Sequence, residues 1–325
     1  MLFFEIFIKF DWIKPVYTMP KMHVKKSIVI DSPVEAIYSK LNDFNHWHPW
    51  SPWLIMEPEA KVDVAEDAKY YSWDGKIVGS GNMKVLEEKE NQLITYDLSF
   101  LKPWKSRADV KFELEPAGDK TQVSWYMDSS LPWFMFWMKK MMIAFIGMDY
   151  QRGLNMLKDY VEDGEVHSKL EFIGLDTYPG CTYVAIKTAC SMDEIGTKMS
   201  ADFDKLWSFM EDKKDIVAGE PFSIYHKWDM VKGKVSYTSG VPVKSVPDNL
   251  PDGIISGKIP ETKVYKLKHT GANEHLGNAW STMYNYQRNK VFKKSSKTHP
   301  FETYGNAPGE VPDNELITTV HFAAR

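Results

Sequence analysis

The chain has 325 residues, with 40 Lys and Arg against 44 Asp and Glu and a formal net charge of −4. That length exceeds one ordinary core, so two domains are expected, and the Lys residues scattered among acids make no basic field; direct nucleic-acid binding is disfavoured. Cys181 and Cys190 show no CxxC spacing and do not amount to a disulfide framework, which points to a reducing, cytoplasmic setting and leaves their pairing open.

Residues 1–21 form an N-terminal arm. Its apolar run is broken by Glu5 and Lys9, offers no small-residue cleavage site and is too short to span a bilayer. Phe3, Phe4, Phe7, Phe10 and Trp12 either dock on the protein or rest on a membrane surface with Lys9 and Lys14 at the interface; docking or disorder is favoured.

A first domain is expected over residues 22–163. Residues 24–30 alternate as a strand, and then Ser32 is expected to cap a helix, with Pro33 at its first position and Glu35 in its first turn, ending near Asn42. The proline-punctuated loop of residues 44–53 carries Trp47, Trp50 and Trp53, which line a cavity mouth or pack the sheet edge; both readings stand. His46 and His48 lack a third ligand at metal spacing, so no metal is expected. From Tyr70 to Asp128, short strands separated by Asp74-Gly75 and Ala117-Gly118-Asp119 describe an antiparallel meander, with Gly79-Ser80-Gly81 as a bulge and not a phosphate loop. Residues 131–148 are rich in Trp, Phe and Met, yet Lys139 and Lys140 near the centre make a spanning helix costly and argue for a buried or amphipathic helix start over membrane contact. The helix should run from about Pro132 to Tyr160. No cofactor is implied by any of these motifs.

Residues 164–168 break that helix with Gly164 and charge and read as a short exposed hinge. The second domain, residues 169–325, is a tandem duplication. Residues 182–187 are echoed by 262–268, a helix around Trp207 by one around Trp280, and Pro221-Phe222-Ser223-Ile224-Tyr225 by Pro300-Phe301-Glu302-Thr303-Tyr304. Each copy reads as strand, helix and hairpin, and two copies pair into a pseudo-symmetric sheet with a cleft at its mid-line. The chemical asymmetry is Ser223 against Glu302: a carboxylate stands where its twin has a hydroxyl.

Two resemblances follow from these residues. The opening Ile30-Asp31-Ser32-Pro33-Val34-Glu35-Ala36-Ile37-Tyr38, the Trp47 to Trp53 loop and the closing Gly153-Leu154, Leu157-Lys158 and Val161-Glu162 resemble the START-like (SRPBCC, polyketide cyclase-like) superfamily. The resemblance implies an α+β helix-grip fold, with an antiparallel sheet around a long C-terminal helix and a lipophilic cavity. Carriers and enzymes share that fold, so polyketide cyclisation rests on fold analogy alone. The residues 219–225, His269-Thr270-Gly271, Trp280, 300–304 and 315–322 resemble the GyrI-like, or AraC-type effector-binding, domain of bacteria. That implies a central cleft taking small hydrophobic or cationic aromatic molecules, with Glu302 as the buried acid and Tyr304, Tyr225, Trp280, Tyr284, Trp207 and Trp228 as aromatic walls. Thr319 stands where the family often has a second acid.

Two functions of different class are compatible with this pattern. One is a non-catalytic binding protein, a sensor or sequestering factor, and this reading is favoured; the partner protein is not specified by the sequence. The alternative is a hydrolase of reactive or strained small molecules, with Glu302 as base and Tyr304 as donor to the oxyanion. A START-like domain occupies the place where family relatives carry a DNA-binding helix-turn-helix, so the chain itself is expected not to contact DNA.

Overall fold

The computed structural model describes residues 19–325; the expectations for Phe3, Phe4, Phe7, Phe10, Trp12, Lys9 and Lys14 concern residues outside that part. The alternating stretch near residue 24 belongs to β1 (Lys21–Ile30), which turns Met22, Val24 and Ile30 into the core. α1 spans Val34–Leu41, and its expected cap does not form: Pro33 takes the N-cap position with an extended backbone, and no side chain caps the helix. Ser32 thereby falls one residue too far out for its hydroxyl to reach the free amides of the first turn. The helix ends at Asn42 as its sequence suggests.

The meander follows as β2 (Lys61–Val64), β3 (Tyr70–Asp74), β4 (Ser80–Lys89), β5 (Leu93–Lys102), β6 (Ser106–Ala117) and β7 (Lys120–Ser130). They form one antiparallel sheet in the order β1-β7-β6-β5-β4-β3-β2. Gly79 sits at φ 70° and the β4–β5 register slips between Ser80 and Gly81, so the glycine pair marks a bulge. α2 (Lys139–Glu162) closes the domain, lying against β1.

Aromatic rings fill the grip. Trp125 stacks on Tyr150 at 3.9 Å and on Phe112 at 4.8 Å, while Trp50 meets Trp47 at 4.8 Å and Trp125 at 5.7 Å. The Trp47 indole donates to the Leu41 carbonyl at 2.9 Å. Of the two readings of the aromatic loop, Trp47 and Trp50 take the packing one: both are buried in the core, and truncating either would cost about 3–5 kcal/mol. His46 is occupied by the Tyr160 hydroxyl at 3.0 Å.

The stretch before and into α2 is only in part the buried helix start that its composition suggests. Met142, Ile143 and Ile146 pack on the core, but residues Trp133–Met138 form a 3-10 turn whose Phe134, Phe136 and Trp137 are exposed. Met135 of that turn does pack on the core. Among the described residues no helix is long and apolar enough to cross a membrane.

The second domain comprises β8 (Ser168–Tyr178), β9 (Cys181–Ser191), α3 (Ile195–Met210), β10 (Phe222–Asp229), β11 (Lys234–Val243), β12 (Ile255–Ile259), β13 (Thr262–Gly271), α4 (Gly277–Arg288), β14 (Phe301–Tyr304) and β15 (Ile317–Ala323). Its sheet runs β12-β9-β11-β10-β14-β15-β13-β8. Each copy is strand, strand, helix, strand, strand, and the leading strand of each is exchanged: β8 pairs with β13 of the second copy, and β12 with β9 of the first. The two copies meet at β10 and β14, where Ser223 lies directly opposite Glu302. Cys181 and Cys190 are free thiols on the one strand β9.

Buried polar contacts join the domains along α2 and α4. The Arg152 guanidinium donates to Asn278 Oδ1 at 2.8 Å, Ser281 Oγ at 3.1 Å, the Pro52 carbonyl at 3.2 Å and Asp149 Oδ1 at 2.6 Å. His275 Nε2 lies 2.7 Å from Asp159 Oδ2, and the Tyr286 hydroxyl donates to the Met56 carbonyl at 3.1 Å.

Candidate ligand-binding site

Side chains alternate along a strand, so Ser223 and Tyr225 on β10 share a face with Glu302 and Tyr304 on β14. On that face both twin tyrosines converge on one carboxylate oxygen. Tyr225 and Tyr304 donate to Glu302 Oε1 at 2.6 and 2.7 Å, and the Trp280 indole donates to Oε2 at 2.7 Å. Glu302 is 1% exposed. Burial pushes its carboxyl above the ordinary carboxylate range, against the pull of the three donors. Both tyrosines are driven up too, by burial first and then by the carboxylate beside them.

The expected aromatic walls assemble around this floor. Trp280 meets the Tyr225 ring edge-on at 4.8 Å, Trp228 lies 5.5 Å from Tyr225, and Tyr284 lies 6.1 Å from Trp280. Trp228 and Tyr284 are 39% and 48% exposed, so the rings grade from buried floor to open rim. Trp207 is not brought into this cluster. It sits on an exposed part of α3, one turn beyond Phe203, whose ring meets Tyr304 at 5.6 Å.

The structure also corrects the matching of the two helices. Met199 on α3 places Sδ 3.5 Å from Ser223 Oγ and 3.3 Å from the Tyr304 hydroxyl. Met199 thus stands to Ser223 and Tyr304 as Trp280 stands to Glu302 and Tyr225; Met199, not Trp207, is the twin of Trp280. The sequence match aligned indole with indole, whereas the helices enter at equivalent phase with different residues. Met199 and Phe203 were missed for that reason; their spacing of one helical turn on the face towards β10 was the available signal.

Thr319 lies on β15 opposite Thr303, and Glu315 is exposed in a separate turn, so neither adds a carboxylate to the floor. Buried histidines lie outside the cluster. His321 stacks on Phe301 at 4.5 Å, and burial pulls it down to about 3; His269 is held by Ser168 Oγ at 3.1 Å and falls to about 4. Asp159, Glu274 and His275 bring ligand atoms within 4.8 Å of one another at the domain junction. There His275 Nε2 pairs with Asp159 Oδ2 at 2.7 Å.

Chemically the floor is a carboxyl group held by three neutral donors and walled by rings.

Comparisons with known proteins identify the two domains at the level of family. Residues 21–162 match the family described as polyketide cyclase / dehydrase and lipid transport, and residues 176–324 match the GyrI-like small molecule binding domain. No curated protein matches the chain. Among solved structures, similarity extends to the EcmrR–DNA complex, with 14% identity, a TM-score of 0.42, 57% of this chain and 68% of that one covered. The EcmrR C-terminal domain is similar at 15% identity and TM-score 0.41, over 49% of this chain and 98% of that one. The Aha1 dimer from Colwellia psychrerythraea is similar at 18% identity and TM-score 0.34, over 44% of this chain and 98% of that one. The chain therefore joins a domain of the polyketide cyclase, dehydrase and lipid-transport family to a GyrI-like small-molecule-binding domain.

Proposed function

We propose that the cleft between α3 and α4 captures flat aromatic cations, with Glu302 as counter-charge, and that the protein acts as a sensor or sequestering factor without chemistry on its ligand. The observation that carries this reading is a fully buried carboxylate whose three hydrogen bonds all come from neutral donors. Neutral donors spread its charge without cancelling it, and a bound cation completes the neutralisation in a low-dielectric site. Ring faces on Trp280, Tyr225 and Trp228 add roughly 0.5–2 kcal/mol each. Met199 closes the floor beside Tyr304; as an unbranched, flexible side chain it is suited to moving aside for ligands of differing shape.

Hydrolysis is the weaker reading. Tyr304 already spends its proton on Glu302, and the carboxylate oxygens already accept from three donors. Calorimetric titration of the full chain with 1-methylquinolinium and with its neutral isostere 1-methylnaphthalene tests the proposal. Preference for the cation by about tenfold or more supports it; equal binding of both sinks the role of the charge.

A further inference from the structure

One end of the first domain carries apolar surface that neither domain covers. The β5–β6 connection lies beside the end of β7, since Phe100 pairs with Ser106 and Ala108 with Ser129. β1 enters at the same end, with Lys21 opposite Ser130. From β7 the chain passes through Leu131 and Pro132 into the 3-10 turn Trp133–Met138. Trp104 and Phe134 are each 59% exposed, Phe136 64% and Trp137 68%. Leu101, Phe145 and Met148 extend the apolar surface. Large exposed apolar patches are uncommon on monomeric proteins unless something is bound there.

Charge selects the partner. Between Asp97 and Asp109 the chain carries Lys102, Lys105 and Arg107 and no acid; between Asp128 and Asp149 it carries Lys139 and Lys140 and no acid. Asp74 reaches this end, 3.3 Å from Lys102. The excess is positive in a chain whose net charge is −4. Duplex nucleic acid, with its bases paired and stacked, would satisfy the cations and leave the rings in water, and a second copy would cover the rings but set like charges together. Trp and Phe among Lys and Arg suit the headgroup region of an anionic bilayer, where rings sit at the interface and ammonium groups meet phosphates.

We propose that this end of the first domain docks on anionic lipid bilayers. Trp104, Phe134, Phe136 and Trp137 enter to headgroup depth, and Lys105, Arg107, Lys139 and Lys140 pair with lipid phosphates. The site is separate from the Glu302 cleft, and its test is independent of that reading.

The experiment is flotation of the full chain with phosphatidylcholine vesicles, with and without phosphatidylglycerol. The expected result is recovery with the phosphatidylglycerol vesicles, release as salt is raised, and loss of binding by about tenfold or more in Lys139→Glu/Lys140→Glu and in Phe136→Ser/Trp137→Ser. All four positions lie in the turn or in the first residues of α2, outside the buried core, so the variants retain the fold; far-ultraviolet circular dichroism checks this. Failure to float with either vesicle overturns the proposal, as does flotation that both variants leave unchanged. Light scattering that shows the aromatic variant turning a dimer into a monomer, without lipid binding, reassigns the surface to a second copy. Retardation of duplex DNA that Lys139→Glu/Lys140→Glu abolishes, again without lipid binding, reassigns it to nucleic acid.

Discussion

Glu302 concentrates the chemistry of the second domain in one side chain. Its carboxyl is raised by burial, so the ionised form is the costly one in the folded protein. The sign follows from linkage. The contribution of Glu302 to stability is fully present below the ordinary carboxylate range, where folded and unfolded states are both protonated, and is lost as pH rises through its raised value. Binding of a cation runs the other way, because the ligand needs the ionised form. Affinity for 1-methylquinolinium should therefore climb with pH through that raised value and then level, while Glu302→Gln gives a flat profile; calorimetry across the acid range checks both. Trp280→Phe removes one donor from a buried anion and should cost about 1.5–3 kcal/mol at neutral pH, read by urea unfolding. At this scale the sequence was informative where the duplication broke its own pattern, since Ser223 against Glu302 needed no structure to notice. It was silent on Met199, because a methionine at helical spacing looks like core, and misleading on Trp207, where identity of residue type hid a difference in helical phase.

Among the elements, the antiparallel meander and the duplicated hairpins could be read from local signals: turn residues at Asp74-Gly75 and 117–119, alternation in β1, and the repeated Pro-Phe-x-x-Tyr. The exchange of β8 and β12 between copies could not, because strand partners far apart in sequence leave no local trace. The cap of α1 failed for a similar reason. Ser and Pro in succession both favour a helix start, and only the backbone at Pro33 decides which residue occupies the cap. The junction between α2 and α4 was equally hidden, since an arginine in a long helix is usually solvated. Arg152 is instead 6% exposed and donates to groups of both domains. Arg152→Met should leave Asn278 and the Pro52 carbonyl without their donor and cost about 3 kcal/mol, measured by chemical unfolding. Acidification should loosen the same junction. Burial acts to raise the Asp159 carboxyl, but the bonds from His275 and the His167 amide outweigh it and hold it below its usual value. Stability from Asp159 is present above the unfolded value and is lost as pH falls through the folded one.

Across the whole molecule, α4 serves two contacts at once: Trp280 binds the Glu302 floor, while Asn278 and Ser281, on the same helical turn, hold Arg152 of the first domain. Coupling between the proposed site and the junction is therefore a prediction of this arrangement. A cation should raise the melting of both domains together in the native chain, and of the second domain alone in Arg152→Met; differential scanning calorimetry distinguishes the two. The first domain contributes a ring-filled core and, at the end that carries the β5–β6 connection, the proposed bilayer surface, so the proposed ligand capture and the proposed membrane docking occupy different parts of one chain.

The most direct measurement is thermal shift of the full chain with 1-methylquinolinium and 1-methylnaphthalene, comparing the native protein with Glu302→Gln at neutral pH. Stabilisation by the cation alone, absent from the variant, is the result predicted for a buried carboxylate that waits for a positive charge. Equal stabilisation of native and variant protein by the cation would contradict it, and would leave Glu302 as an internal tie between Tyr225, Tyr304 and Trp280.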